Sequence, residues 1–116
     1  MSYRFVDARD LKPRLRVLRP IRKALDIKSF GVNEIELPPD TTAYPEHDEL
    51  KTNQDELYVV LGGSATMTID GDTIDLKPGR YVFVTPESRR HIAPGAEGIR
   101  FLAVGARADQ SLDARH

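Results

Sequence analysis

The chain has 116 residues, 40% hydrophobic and 30% charged, with a formal net charge of -1 at pH 7. That length suits one domain, able to bury a core without a disulfide or metal to hold it. It contains no cysteine, which excludes disulfides, thiolate chemistry and zinc–sulfur sites.

Neither a nucleic-acid nor a membrane partner is expected. The charge balance gives no global drive toward nucleic acid. No apolar run approaches the ~18 residues of a membrane helix, and MSYRFVDARD lacks the apolar stretch of a secretion signal. Together with the missing cysteine, this makes a cytoplasmic protein the expectation.

In chain order, Met1 to Asp10 shows no clear period. Arg14-Leu15-Arg16-Val17 alternates charged and apolar residues, which predicts a short edge strand. Pro20 precedes Ile21, Ala24 and Leu25, spaced to share one helical face, so one short helix is expected. Phe30 to Leu37 predicts a strand, stopped by Pro38-Pro39 because proline cannot donate to a ladder. Residues 43–49 predict another short strand and 50–54 a loop.

The stretch from Asp55 to Pro86 carries the clearest signals. Leu57 to Leu61, Ala65 to Ile69, Thr73 to Leu76 and Tyr81 to Thr85 are β-favouring runs separated by Gly-Gly, Asp-Gly and Pro-Gly. Asp70-Gly71 is the sharpest, since a two-residue type I′ hairpin turn needs positive φ at both positions. Beyond Pro86, the segment from Ser88 to Ile92 leads through Pro94-Gly95 to a last strand, Gly98 to Val104. A polar tail follows, in which ADQSLDAR could form a helical turn. About eight short strands with one short N-terminal helix predict an all-β sandwich or barrel.

Two further patterns bear on partners. Residues 1–28 carry nine basic side chains against three acids, and residues 34–56 carry eight acids against Lys51 alone. An N-terminal arm lying near the acidic segment, in the same or a neighbouring subunit, accounts for this; an anion-binding arm is the sharper alternative. The run Leu57-Tyr58-Val59-Val60-Leu61 is apolar on both faces, where a strand with one wet face would alternate. Something must cover the outer side, and a homodimer is the expectation.

The order of these features resembles the cupin superfamily, specifically its small single-domain members, over roughly residues 30–104. Glu56 and Gly63 within DELYVVLGG match the end of the first cupin motif, and GRYVFVTPESRRH from Gly79 resembles the second. ELPPDTTAYPEH before the first motif and IDG between the two are also cupin-like. The resemblance implies a double-stranded β-helix, or jelly-roll, barrel over 30–105. Residues 1–29 would form an arm with a short strand and helix, and 106–116 a tail.

Metal-holding cupins place two His and a Glu from the first motif and a His from the second around Fe, Mn, Ni or Zn. On this chain His47 matches the first His if the loop before Glu56 is longer than usual. The second His position falls on Glu49, and Glu56 matches the Glu. The second-motif His position falls on Arg90, with His91 one step late.

Two site readings stay open. His47, Glu49, Glu56 and His91 could hold a divalent metal, with His91 needing a bulge to turn inward. In a regular register Arg90 would point inward instead. Its guanidinium cannot ligate, and at 4 Å it would oppose a unit positive charge by about 4 kcal/mol at an effective dielectric near 20. An ion pair with Glu56 or Glu49 would then make a metal-free site; this degenerate, metal-free site is the expectation, and a divalent metal is the alternative.

The functional expectation is a protein binding a small polar or anionic ligand, with Arg90 and Glu56 as charge partners and Tyr58, Val60 and Phe83 as walls. The alternatives are a metal-dependent dioxygenase, isomerase or decarboxylase, and a structural or regulatory dimer. Fold alone does not choose among them.

Overall fold

The computed structural model describes residues 3–41, 44–110 and 112. After a turn of 3-10 helix at Ala8–Asp10, the elements are β1 (Leu18–Arg19), α1 (Ile21–Leu25), β2 (Gly31–Leu37), β3 (Gln54–Ile69), β4 (Asp72–Leu76), β5 (Tyr81–Val84) and β6 (Arg90–Arg107). All pairings are antiparallel.

The short helix forms where Pro20 suggests it. Ala24 N–H donates to Pro20 O at 3.1 Å. Asp26, in the left-handed region at φ 54°, ends the helix. Arg4 Nε donates to Leu25 O at 2.6 Å, giving one of the last carbonyls a partner.

Arg14 to Val17 is not a strand. Leu15 and Arg16 have φ of 51° and 66°, so the chain reverses there in a tight turn, with Val17 N–H donating to Arg14 O. The strand begins one residue later, at Leu18. The strand expected at 43–49 is reduced to a single bridge between His47 and Arg90, and residues 42 and 43 lie outside the described residues. The helical turn suggested for the tail falls partly outside them too.

The Gly-Gly pair does not separate two strands. Leu57–Leu61 and Ala65–Ile69 belong to the single strand β3, and the segments before and after Pro94-Gly95 belong to the single strand β6. The pairing of β3 with β6 shifts between Val60 and Gly62 and again between Gly63 and Ala65. Ser64 there faces the extra β6 residues 95–98. These bulges change parity: the buried positions run Tyr58, Val60 and then Ala65, Met67 on β3. Gly63 is required at this point. Its φ is +77°, and a Cβ there would collide with Gly98 O.

The six strands form one sheet in the order β1-β2-β6-β3-β4, with β5 also paired to β3. The expected jelly-roll barrel is therefore corrected: the sheet is open. A barrel needs its two edges hydrogen-bonded to each other. Among the described residues no ladder joins β1 to β4 or β5. One edge strand, β1, is only two residues long, and the 43–49 segment that would have extended the sheet contributes one bridge.

The inner face holds the core: Ile35, Leu37, Tyr58, Val60, Met67, Leu76, Val82, Val84, Ile92 and Phe101 are buried in one cluster. The Asp70-Gly71 turn is as expected, with φ of 49° and 90°.

Candidate metal centre

Glu56 sits on β3, opposite Val84 of β5 and Gly105 of β6, and shares the inner face with Tyr58 two residues on. Arg90 opens β6 on the same face and is fully buried, the one charged residue in the core among the described residues. His47 reaches this corner because its loop is tied to Arg90: His47 N–H donates to Arg90 O at 3.0 Å, and Arg90 N–H to His47 O at 2.9 Å. A third bond, Glu49 N–H to Pro86 O at 2.9 Å, fixes the loop two residues later.

These elements bring three donor side chains together. His47 Nε2 lies 3.5 Å from Glu49 Oε2 and 3.5 Å from Glu56 Oε1. One ligand atom from each of the three lies within 4.8 Å of the others. His47 Nδ1 faces Pro45 O at 3.2 Å. The Pro45 carbonyl accepts a hydrogen bond from Nδ1–H, which leaves Nε2 of the neutral ring free to ligate; when the ring is protonated, Nε2–H donates to Glu56 instead. The mixture of imidazole and carboxylate fits a divalent cation of the first transition row.

Arg90 shapes the other side of Glu56. Its Nη1 donates to Glu56 Oε1 at 3.2 Å and its Nη2 to Thr85 O at 2.7 Å, while its Nε is buried without a hydrogen-bond partner. The Tyr58 hydroxyl also donates to Glu56 Oε1. Burial pushes the Glu56 carboxyl up, but hydrogen bonds from His47 and Tyr58 and the charges of His47 and Arg90 outweigh it, holding Glu56 below its ordinary value. The bond to Glu56 raises the His47 value against the opposing effect of burial. Burial keeps the Tyr44 and Tyr58 hydroxyls protonated well above their usual range.

The other sequence candidates fall in different places. Val60 is buried on the inner face within the core. Phe83 points outward and is 61% exposed. His91 pairs with Thr68 and follows Arg90 on the strand, so its side chain leaves from the opposite face. Tyr44 has no signal in the sequence. It stands edge-on to His47 at 5.7 Å between ring centroids and edge-on to Phe101 at 5.8 Å, closing the corner over the imidazole. No periodicity marks a residue in a loop, so only the nearby His47 could have pointed to it. A cleft of about 550 Å³ lined by Arg16, Glu36, Gly63 and Arg100 includes none of these residues.

A family model described as a cupin domain matches residues 33–105. Among curated proteins none matches. A cupin protein from Bacteroides fragilis is similar in structure, with a TM-score of 0.77 at 21% identity, covering 97% of this chain and 91% of that one. A conserved protein of unknown function from Streptococcus pyogenes has a TM-score of 0.68 at 16% identity, with 95% and 98% covered. A sugar phosphate isomerase of that superfamily from Silicibacter pomeroyi has a TM-score of 0.63 at 21% identity, with 78% of this chain and 59% of that one covered. At these identities the likeness is one of fold.

Proposed function

This chain belongs to the cupin domain family, and from that premise we propose that His47, Glu49 and Glu56 hold a divalent cation that anchors a small anionic ligand. The observation that carries the reading is the convergence of their three donor atoms within 4.8 Å.

Charge supports the ligand class. Two carboxylates and one guanidinium leave the corner at a formal charge of about -1, so a divalent cation turns it to about +1. A carboxylate or phosphate oxygen then balances the site. Arg90 contributes to that balance from beneath, through Glu56, because its side chain is wholly buried. A cation at this position would supply Lewis acidity to an oxygen of the ligand. The neighbouring name, sugar phosphate isomerase, belongs to a protein acting on a molecule of the same anionic class.

The test is elemental analysis of the full chain purified without a histidine tag, followed by titration with Mn²⁺ or Zn²⁺. About one metal per chain is expected, with binding lost in His47→Ala and in Glu56→Gln. A chain that neither retains metal nor takes it up from solution would overturn the reading.

A homodimer is part of the same proposal. Its support is the outer side of β3, where Leu57 and Val59 remain partly exposed on a strand whose inner side is already filled. No helix among the described residues is long and apolar enough to cross a membrane.

A further inference from the structure

Nine basic side chains precede residue 29, and the metal centre uses none of them. Arg19 reaches the acidic segment, pairing with Glu36 at 3.1 Å. Arg22 and Lys28 go elsewhere. With Arg107 they line a cleft of about 470 Å³. The three cations come from α1, from the loop before β2 and from the last residue of β6.

Charge sets this cleft apart. No carboxylate lines it. In the 550 Å³ cleft, by contrast, Arg16 and Arg100 stand against Glu36 and Glu97, so the charges cancel. Lys28 holds Asp26 at 2.9 Å and Arg107 holds Asp109 at 2.8 Å, but neither Asp belongs to the wall. Arg22 has no carboxylate within ion-pair distance among the described residues, and its Nη1 donates to Ile27 O at 3.2 Å. Three cations against two carboxylates leave a local charge of about +1.

The cleft opens on the same face as the metal centre. Side chains alternate along a strand, so Asn33 and Gln54 in its wall take the face of Ile35 and Tyr58, which is the inner one. Glu56, Gly105 and Gly31 lie in one row across β3, β6 and β2. The two glycines place no side chain of that row between Glu56 and the cleft. At strand spacings of about 4.8 Å, Gly31 stands roughly 10 Å from Glu56. The Gln54 amide leans into the gap, since a Cβ on Gly105 would come 2.9 Å from Gln54 Oε1.

We infer that the ligand on the cation is a phosphate monoester of a short oxygenated carbon chain, with its phosphoryl group in the basic cleft. The inference rests on the cation centre proposed above and names its substrate class. Three cations from three elements suit the three terminal oxygens of a phosphoryl group, which carries close to two negative charges at neutral pH. A carboxylate has two oxygens and is matched by one guanidinium fork. Oxygens at the other end of the chain reach the cation, and the carbons between cross the two glycines. Gln54 is placed to meet hydroxyls on the way, because an amide both donates and accepts.

The experiment titrates the Mn²⁺-loaded chain with phosphogluconate and with gluconate, by calorimetry at low ionic strength, where exposed charges are least screened. Phosphogluconate is expected to bind at least about tenfold tighter. Arg22→Gln/Arg107→Gln is expected to erase that advantage and leave gluconate binding within about twofold. Both side chains are exposed, and unchanged circular dichroism checks that the fold is kept. Should the double variant fail to fold, Lys28→Gln, at a side chain 81% exposed, is expected to reduce the advantage several-fold.

Equal binding of the two compounds by a metal-loaded chain would overturn the inference and leave the cation centre standing. So would an advantage that survives the double variant, since the phosphoryl group would then sit elsewhere. Glucarate, a dicarboxylate, binding as tightly as phosphogluconate would overturn the phosphoryl assignment. A chain that takes up no metal is titrated with inorganic phosphate in EDTA. Binding that disappears in the double variant would then overturn the cation centre and keep the cleft as a phosphate site, and no binding would overturn both.

Discussion

Glu56 is the residue on which the corner depends, because it touches His47, Tyr58 and Arg90 at once. Glu56→Gln leaves the Arg90 guanidinium buried without its counter-charge. Breaking such a pair from one side costs about 3–5 kcal/mol, so a loss of this size is expected in urea denaturation. Arg90→Met is expected to act differently on metal. It removes a cation 3.2 Å from a donor oxygen, and calorimetric titration should show binding at least about tenfold tighter. The pH dependence of the metal-free chain follows from the same contacts. The raised value of His47 gives a contribution complete below its ordinary 6.5 and lost as pH climbs through the folded value. The lowered value of Glu56 gives one complete above 4.5 and lost as pH falls through the folded value. Stability in the presence of EDTA should therefore be highest between these two pH values. His47→Gln should flatten the alkaline side and also weaken the acid side, because His47 is one of the contacts that hold Glu56 low.

Glycine positions in β3 and its hairpin separate two kinds of backbone constraint at the level of the element. Gly71 and Gly63 both have positive φ, at +90° and +77°. A Cβ on Gly71 would meet nothing within 4 Å, whereas one on Gly63 would strike Gly98 O. Gly71→Ala should cost only the left-handed backbone strain, about 1–2 kcal/mol. Gly63→Ala should cost clearly more, because the paired bulges of β3 and β6 must move apart. Chemical denaturation of the two variants side by side checks this ordering. Asp70-Gly71 was legible in the sequence because a two-residue turn is a local event with its own residue preferences. The Gly62-Gly63 pair was not. Glycine marks a backbone that bends or approaches another closely, and only the partner strand decides between a turn and a bulge.

For the whole molecule, metal binding is expected to raise stability by mass action. At a free concentration a hundred times the dissociation constant the gain is about 2.7 kcal/mol. For a domain of this size that should lift the melting temperature by about 10 °C in calorimetry, and EDTA should reverse it. What the sequence by itself determined is what short-range chemistry encodes: β-rich runs, one helix after Pro20, the Asp70 turn, the candidate donors His47, Glu49 and Glu56, and a motif pair sufficient to suggest the family. It also contained the condition for the orientation of Arg90, since a regular register from β5 onward turns it inward and His91 outward. The tertiary structure alone decided how far the ladders extend. Closure depends on whether distant edges meet, and that is set by strand length and bulges, so an expected barrel became an open sheet. It also decided which loop residues join the site. Tyr44 and the Pro45 carbonyl stand beside His47 only because two backbone bonds to Arg90 hold their loop in place, a long-range constraint that no local pattern of residues records.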